Sequence, residues 1–139
     1  MENKSAAVIL AAGQGKRMRS AMPKVLHSCA GLPLVGHMVE KALKCRVDPI
    51  VVVVNPRDKQ IEAWMRNAYP QANLVFAPQT KALGTGDALK CALKAIPHFH
   101  GRVLIMCGDT PLLSHATLSG LMRRAKDKTL AILSTEIDH

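Results

Sequence analysis

Apolar runs alternate along the chain with stretches whose apolar residues recur every three or four positions. "AAVIL" (6–10) and "IVVVV" (50–54) are continuous apolar runs, the second wholly β-branched. A run without polar alternation reads as a strand buried on both faces. "LVFA" (74–77), "RVLIMC" (102–107) and "LAILST" (130–135) are weaker candidates of the same kind. Four amphipathic helices are predicted between and after them. Val35, Met38, Val39, Ala42 and Leu43 share one face, as do Ile61, Trp64, Met65 and Ala68. Ala88, Leu89, Ala92, Leu93 and Ile96 form a third set, and Leu118, Leu121, Met122 and Ala125 a fourth. Each follows the i, i+3, i+4, i+7 spacing of a one-sided helix. Pro33 and Pro56 stand near helix starts, where a missing N–H costs little. Alternation of this kind predicts an α/β fold: three layers, α/β/α, around a Rossmann-like, mostly parallel sheet. At 139 residues one domain is expected, spanning 1–139, with no linker or internal repeat.

Such sheets bind ligands beyond the carboxyl ends of their strands. The residues that follow each strand are therefore the candidates. Ala11-Ala12-Gly13-Gln14-Gly15-Lys16-Arg17 follows the first run. Pro78-Gln79-Thr80 and then Leu83-Gly84-Thr85-Gly86 follow the third, and Gly108-Asp109-Thr110-Pro111 the fourth. These three segments are expected to converge on one edge of the sheet.

Their chemistry points to phosphate. The 13–18 segment is not a dinucleotide fingerprint, which needs a third glycine where Met18 stands, and no Walker loop is present. A glycine turn still lets backbone N–H groups approach phosphate oxygens, and Arg17 and Lys24 add fixed charge. The competing reading is an ordinary turn with surface cations. Gly84 and Gly86 permit a base or sugar to lie close to backbone. Thr85 offers a hydroxyl, but it can equally cap the following helix, with Asp87 at its positive end. Gln79 carries a paired donor and acceptor suited to a base edge, though a lone glutamine is commonly solvated. Asp109, behind a glycine at a strand's carboxyl end, suits Mg²⁺ held against phosphate; a turn or helix-capping aspartate is the alternative.

Composition narrows the partners. The formal charge is +9, from 19 Lys+Arg against 10 Asp+Glu, which favours anionic ligands or simply a solvated basic surface. Aromatics are 3% of the chain, too few for the stacking platforms of single-strand binders. Charge alone supports a nucleic-acid partner, so none is expected. The four cysteines form no C-x-x-C pair, which excludes zinc-ribbon and thioredoxin readings. No apolar run approaches the roughly 18 residues needed to span a bilayer. "AAVILAA" is interrupted at once by Gly-Gln-Gly-Lys-Arg, unlike a signal peptide. A reducing, cytoplasmic location without membrane association is expected.

Three stretches together, "LAAGQGKRMRSAMPKVLHSCAGLPLVGHMVEKA", "PQTKALGTGDALKCAL" and "MCGDTPLL", resemble the sugar-phosphate nucleotidyltransferases, and most nearly their uridylyltransferases. They occur in family order and span nearly the whole chain. The resemblance implies the nucleotide-diphospho-sugar transferase fold. It implies that Leu10, Ala11, Ala12, Gly13 and Gly15 line the nucleotide, that Arg17 and Lys24 bind and neutralise the triphosphate in catalysis, and that Gln79, Gly84 and Thr85 recognise uracil. Asp109 becomes a magnesium ligand. The implied reaction joins UTP and N-acetylglucosamine 1-phosphate into UDP-N-acetylglucosamine and pyrophosphate, with no protein nucleophile. Two departures stand out. Asp87 replaces a histidine common in the family; facing inward it would weaken nucleotide binding, whereas as a helix cap it would be harmless. The family's domain also continues well past residue 139. The acceptor half, with its sugar-holding residues and second metal ligand, is expected to be missing, as is any acetyltransferase β-helix. A sheet truncated in this way leaves an open edge, so self-association into a homo-oligomer is expected. A nucleotide-binding module without turnover is the alternative reading.

Overall fold

The first apolar run forms β1 (Ser5–Leu10), the centre of a four-stranded parallel sheet. The computed structural model describes residues 4–13, 15, 18–126 and 129–136. After β1 come a 3-10 turn (Lys24–Leu26) and a hairpin of two-residue strands, β2 (Ser28–Cys29) and β3 (Leu32–Pro33). Then follow α1 (Leu34–Lys44), β4 (Ile50–Val54), α2 (Gln60–Ala68), β5 (Leu74–Pro78), α3 (Thr85–Ala95), β6 (Arg102–Cys107) and α4 (His115–Arg124). The sheet order is β5–β4–β1–β6, so the chain steps outward from β1 and then returns to its other side. That reversal at β1 is the switch point beside which open α/β sheets form their crevice. Leu10 pairs with both Val53 and Cys107, which brings the carboxyl ends of three strands level.

Side chains on a strand alternate between faces, and the two faces here build separate cores. Ile9, Val52, Val54 and Met106 pack under α1, α2 and α4 with Met38, Met65 and Leu118. Val8, Val51, Val53 and Ala77 pack under α3 with Ala88 and Ala92. The three layers are therefore present. All five residues of β4 are buried, as a continuous β-branched run demands. Among the described residues no helix is long and apolar enough to cross a membrane.

Two expectations need correction. "LAILST" is not a strand: the described part of 130–135 lies in no element, and Leu130 and Ile132 are 80% and 75% exposed. An apolar run becomes a strand only where a neighbour accepts its backbone hydrogen bonds, and among the described residues no strand pairs with this one. The β2–β3 hairpin was not anticipated. Its two-residue turn, Ala30-Gly31, has positive φ at both positions, the geometry that matches strand twist in tight hairpins.

Candidate active site

A cleft of about 700 Å³ opens at the carboxyl ends of β1, β5 and β6. Leu10, Ala11, Ala12, Gly13, Gly15, Lys24, Gln79, Gly84, Thr85 and Asp109 all line it. The three segments singled out in the sequence thus share one concavity. Of the residues named there, Arg17 lies outside the described residues. Met18, Val25, Ala82, Ala88 and Cys107 line the cleft as well and were not anticipated. Cys107 could have been found, since it closes β6 directly before Gly108-Asp109. A smaller recess of about 190 Å³ adjoins, lined in part by Gly13, Asn55 and Asp58. It draws on the segment after β4, which sequence reasoning passed over.

Backbone contacts set the cleft floor. Ala11 N–H donates to Val53 O at 2.9 Å and Gly108 N–H to Leu10 O at 2.9 Å, extending the ladder past the strand ends. A Cβ on Gly108 would lie 3.0 Å from Leu10 O and 3.2 Å from Val25 Cγ1. A larger residue would press on β1 and Val25, and the segment that holds this close approach leads into Asp109. Lys24 Nζ donates to Asp109 Oδ2 at 2.7 Å across 85 positions of sequence. Their side chains are 43% and 35% exposed. At that exposure an ion pair is worth about 0.2–1 kcal/mol, so a ligand that engages the two groups separately gives up little. By contrast, a Cβ on Gly13 would meet nothing within 4 Å. Protein packing among the described residues makes no demand for glycine there.

The opposite wall is built by β5 and the start of α3. Gln79 N–H donates to Val54 O at 2.9 Å, which anchors the residue to the sheet edge. Its side chain, in a residue only 9% exposed, turns toward α3: Nε2 lies 3.1 Å from Gly84 O and 2.9 Å from Asp87 Oδ2. Gly84 has φ 95° and ψ −177°, a region essentially reserved for glycine. It is the residue that caps α3. Thr85 is the first helical residue rather than the cap, so its capping alternative fails. Asp87 does sit in the first turn of α3, but its carboxylate accepts from Gln79, a link with no sequence signal.

Among the described residues no group of three or more His, Cys, Asp or Glu side chains could hold a metal unaided. A nucleotide-sized cleft, a glycine floor and a Lys–Asp pair suit a phosphorylated ligand rather than a preformed metal cage.

Known proteins carry the same pattern. Residues 7–138 match the MobA-like NTP transferase domain. The bifunctional protein GlmU of Anaeromyxobacter dehalogenans is 43% identical over 136 residues, covering 95% of this chain and 28% of the relative. GlmU of Pelobacter propionicus is 40% identical over 141 residues, covering 100% of this chain and 30% of the relative. The chain therefore spans less than a third of the length of these curated relatives. A nucleotidyl transferase structure from Methanothermobacter thermautotroptrophicus superposes with a TM-score of 0.70 at 25% identity, over 89% of this chain and 59% of that one. The fold is shared with Rv0371c of Mycobacterium tuberculosis in complex with manganese, at a TM-score of 0.61, 22% identity, and 86% and 58% coverage. The parallel sheet, the cleft at its switch point and the match across 7–138 lead to one statement of kinship: this chain belongs to the MobA-like NTP transferase domain family.

Proposed function

We propose that the chain is the nucleotide-handling part of a sugar-1-phosphate nucleotidyltransferase, joining UTP and N-acetylglucosamine 1-phosphate into UDP-N-acetylglucosamine and pyrophosphate. The observation that carries this reading is the single cleft lined by Gly13, Lys24, Gln79, Gly84 and Asp109. The GlmU relatives support substrates of the nucleotide-sugar class in general, and the resemblance of the sequence motifs narrows the proposal to UTP and N-acetylglucosamine 1-phosphate. In the reaction an oxygen of the sugar phosphate attacks the α-phosphorus of UTP. The bond from the α-phosphorus to the β-phosphate oxygen breaks, and pyrophosphate leaves with that electron pair. The attacking oxygen is already anionic, so no Ser–His or Cys–His device is required. The task of the protein is then alignment and neutralisation of charge.

Each residue has a part in that task. The open space above Gly13 lets backbone amides meet phosphate oxygens. Lys24 binds the triphosphate and offsets charge on the departing pyrophosphate, and Arg17 adds a second cation. Leu10, Ala11, Ala12 and Gly15 shape the floor, and Gln79, Gly84 and Thr85 face the base. Mg²⁺ takes one or two carboxylates and completes its shell with phosphate oxygens and water. Asp109, the one carboxylate on the cleft lining among the described residues and paired with Lys24, fits as such a ligand. Bound there, Mg²⁺ would draw charge off the phosphates.

Titration calorimetry with UTP, CTP, TTP and GTP, each with and without Mg²⁺, tests the reading. UTP is expected to bind best and only weakly without the metal. Asp109→Ala is expected to remove the metal dependence, about a tenfold loss or 1.4 kcal/mol. Equal affinity for all four nucleotides, or binding indifferent to Mg²⁺, would refute it. Pyrophosphate release on adding N-acetylglucosamine 1-phosphate separates turnover from binding alone.

A further inference from the structure

We propose that Asp87 is a positioning residue that sets base specificity. Its carboxylate locks the Gln79 carboxamide with the oxygen left for the ligand, so the site takes bases that offer an N–H at ring position 3, uracil and thymine, and rejects cytosine. This rests on the assignment of Gln79 to the base.

The orientation of a glutamine amide is fixed by what its partners can do. Here both partners are acceptors only: the backbone carbonyl of Gly84 and the carboxylate of Asp87. Nε2 must face them, and its two protons are both committed. Oε1 is then the polar atom of the amide without a partner among the described residues, in a side chain that lines the cleft. Turning the amide over would set Oε1 against the carbonyl and the carboxylate at about 3 Å, with no proton between them. Gly84 O alone would hold the amide loosely, since it also accepts from Ala88 N–H at 3.1 Å. The carboxylate supplies a charge-assisted hydrogen bond, roughly twice as strong as a neutral one. The wall therefore presents a fixed acceptor. Uracil and thymine bring a donor to it at N3. Cytosine brings a lone pair at the same place, and the amide is not free to turn and greet it. Without Asp87 the amide can invert and present its N–H₂ group to cytosine.

The test compares affinities of UTP, TTP and CTP by calorimetry in the presence of Mg²⁺, for the parent chain, Asp87→Ala, Asp87→Asn and Gln79→Ala. The Asp87→Ala change is expected to lower the UTP-to-CTP affinity ratio about tenfold, the scale of one misplaced hydrogen bond. Most of that change should be a gain for CTP, with TTP following UTP. Asp87→Asn keeps shape but can turn either a donor or an acceptor to Gln79, so it should fall between parent and alanine. A merely structural role in the first turn of α3 would weaken all three nucleotides together. An unchanged ratio in both Asp87 variants, with a reduced ratio in Gln79→Ala, overturns the role of Asp87 while leaving the base assignment intact. A ratio untouched by Gln79→Ala, or no nucleotide binding by the parent chain, removes the assignment beneath it and the proposal with it.

Discussion

On one face of the sheet α1, α2 and α4 cover Ile9, Val52 and Met106; on the other, α3 is the one helix among the described residues that covers Val8, Val53 and Ala77. The first face holds long aliphatic and methionine side chains that interlock across three helices. The second is thin. Its helix sits close through the small side chains Ala88 and Ala92, and it leaves Ile105 of β6 42% exposed. The thin face is also where the chain makes its finest polar adjustments, since Gly84, Thr85 and Asp87 all belong to the start of α3. The link from Gln79 to Asp87 lies at the start of α3, whereas the ion pair of Lys24 with Asp109 begins from the 3-10 turn whose Val25 and Leu26 join the thick core.

Breaking the thick face should have the largest effect. Ile9 is fully buried on the central strand, so Ile9→Ala is expected to cost about 3–4 kcal/mol, within the range for buried large-to-alanine changes. Urea denaturation measures the loss. A cost below about 1 kcal/mol would mean that this face is not the main store of stability.

A smaller effect belongs to Tyr69, which packs against the same core, edge-on to Trp64 at 5.9 Å between ring centroids. Its Oη donates to Gly36 O at 3.3 Å. Burial, with the Glu40 carboxylate alongside, pushes its phenol up from the usual 10 to about 12. The fold thus favours the neutral form. That contribution is complete below pH 10 and is lost as pH rises from 10 through 12. Tyr69→Phe should make the fall in stability over that window shallower, and thermal melts at stepped pH values would reveal it. An unchanged slope would remove Tyr69 as the cause.

The smallest effect on stability is expected on the thin face. Ile105→Thr replaces a side chain already 42% exposed, so it should alter stability by no more than about 0.5 kcal/mol. It should also reduce any self-association that runs through β6, which is an edge strand of the described sheet with an apolar flank. Light scattering of both proteins over a concentration series measures this, and equal association would place the contact elsewhere.

What the sequence disclosed follows from the range of the forces involved. β1, β4 and the four helices were legible because each writes its burial into a local period, 3.6 for helices and unbroken apolarity for inner strands. The 130–135 run has the same local signal but pairs with no strand among the described residues, and pairing is not local. The β2–β3 hairpin was missed because two-residue strands carry no period at all. The strand-end rule located Gln79, Gly84, Thr85 and Asp109 in one place without any contact being known. It could not reveal that Lys24 and Asp109 meet, since 85 positions separate them. Nor could it reveal that Asp87 turns to Gln79 rather than serving only its own helix. Both are side-chain encounters fixed by tertiary geometry.

The position of β1 also dictates a timetable. It is made first, yet Leu10 must wait for Val53 on one side and Cys107 on the other. At translation rates of 5–20 residues per second, the second partner arrives roughly 5–20 s later. The apolar β1 therefore spends its early life half-paired, and among the described strands the latest to emerge, β6, is the one that closes its second side.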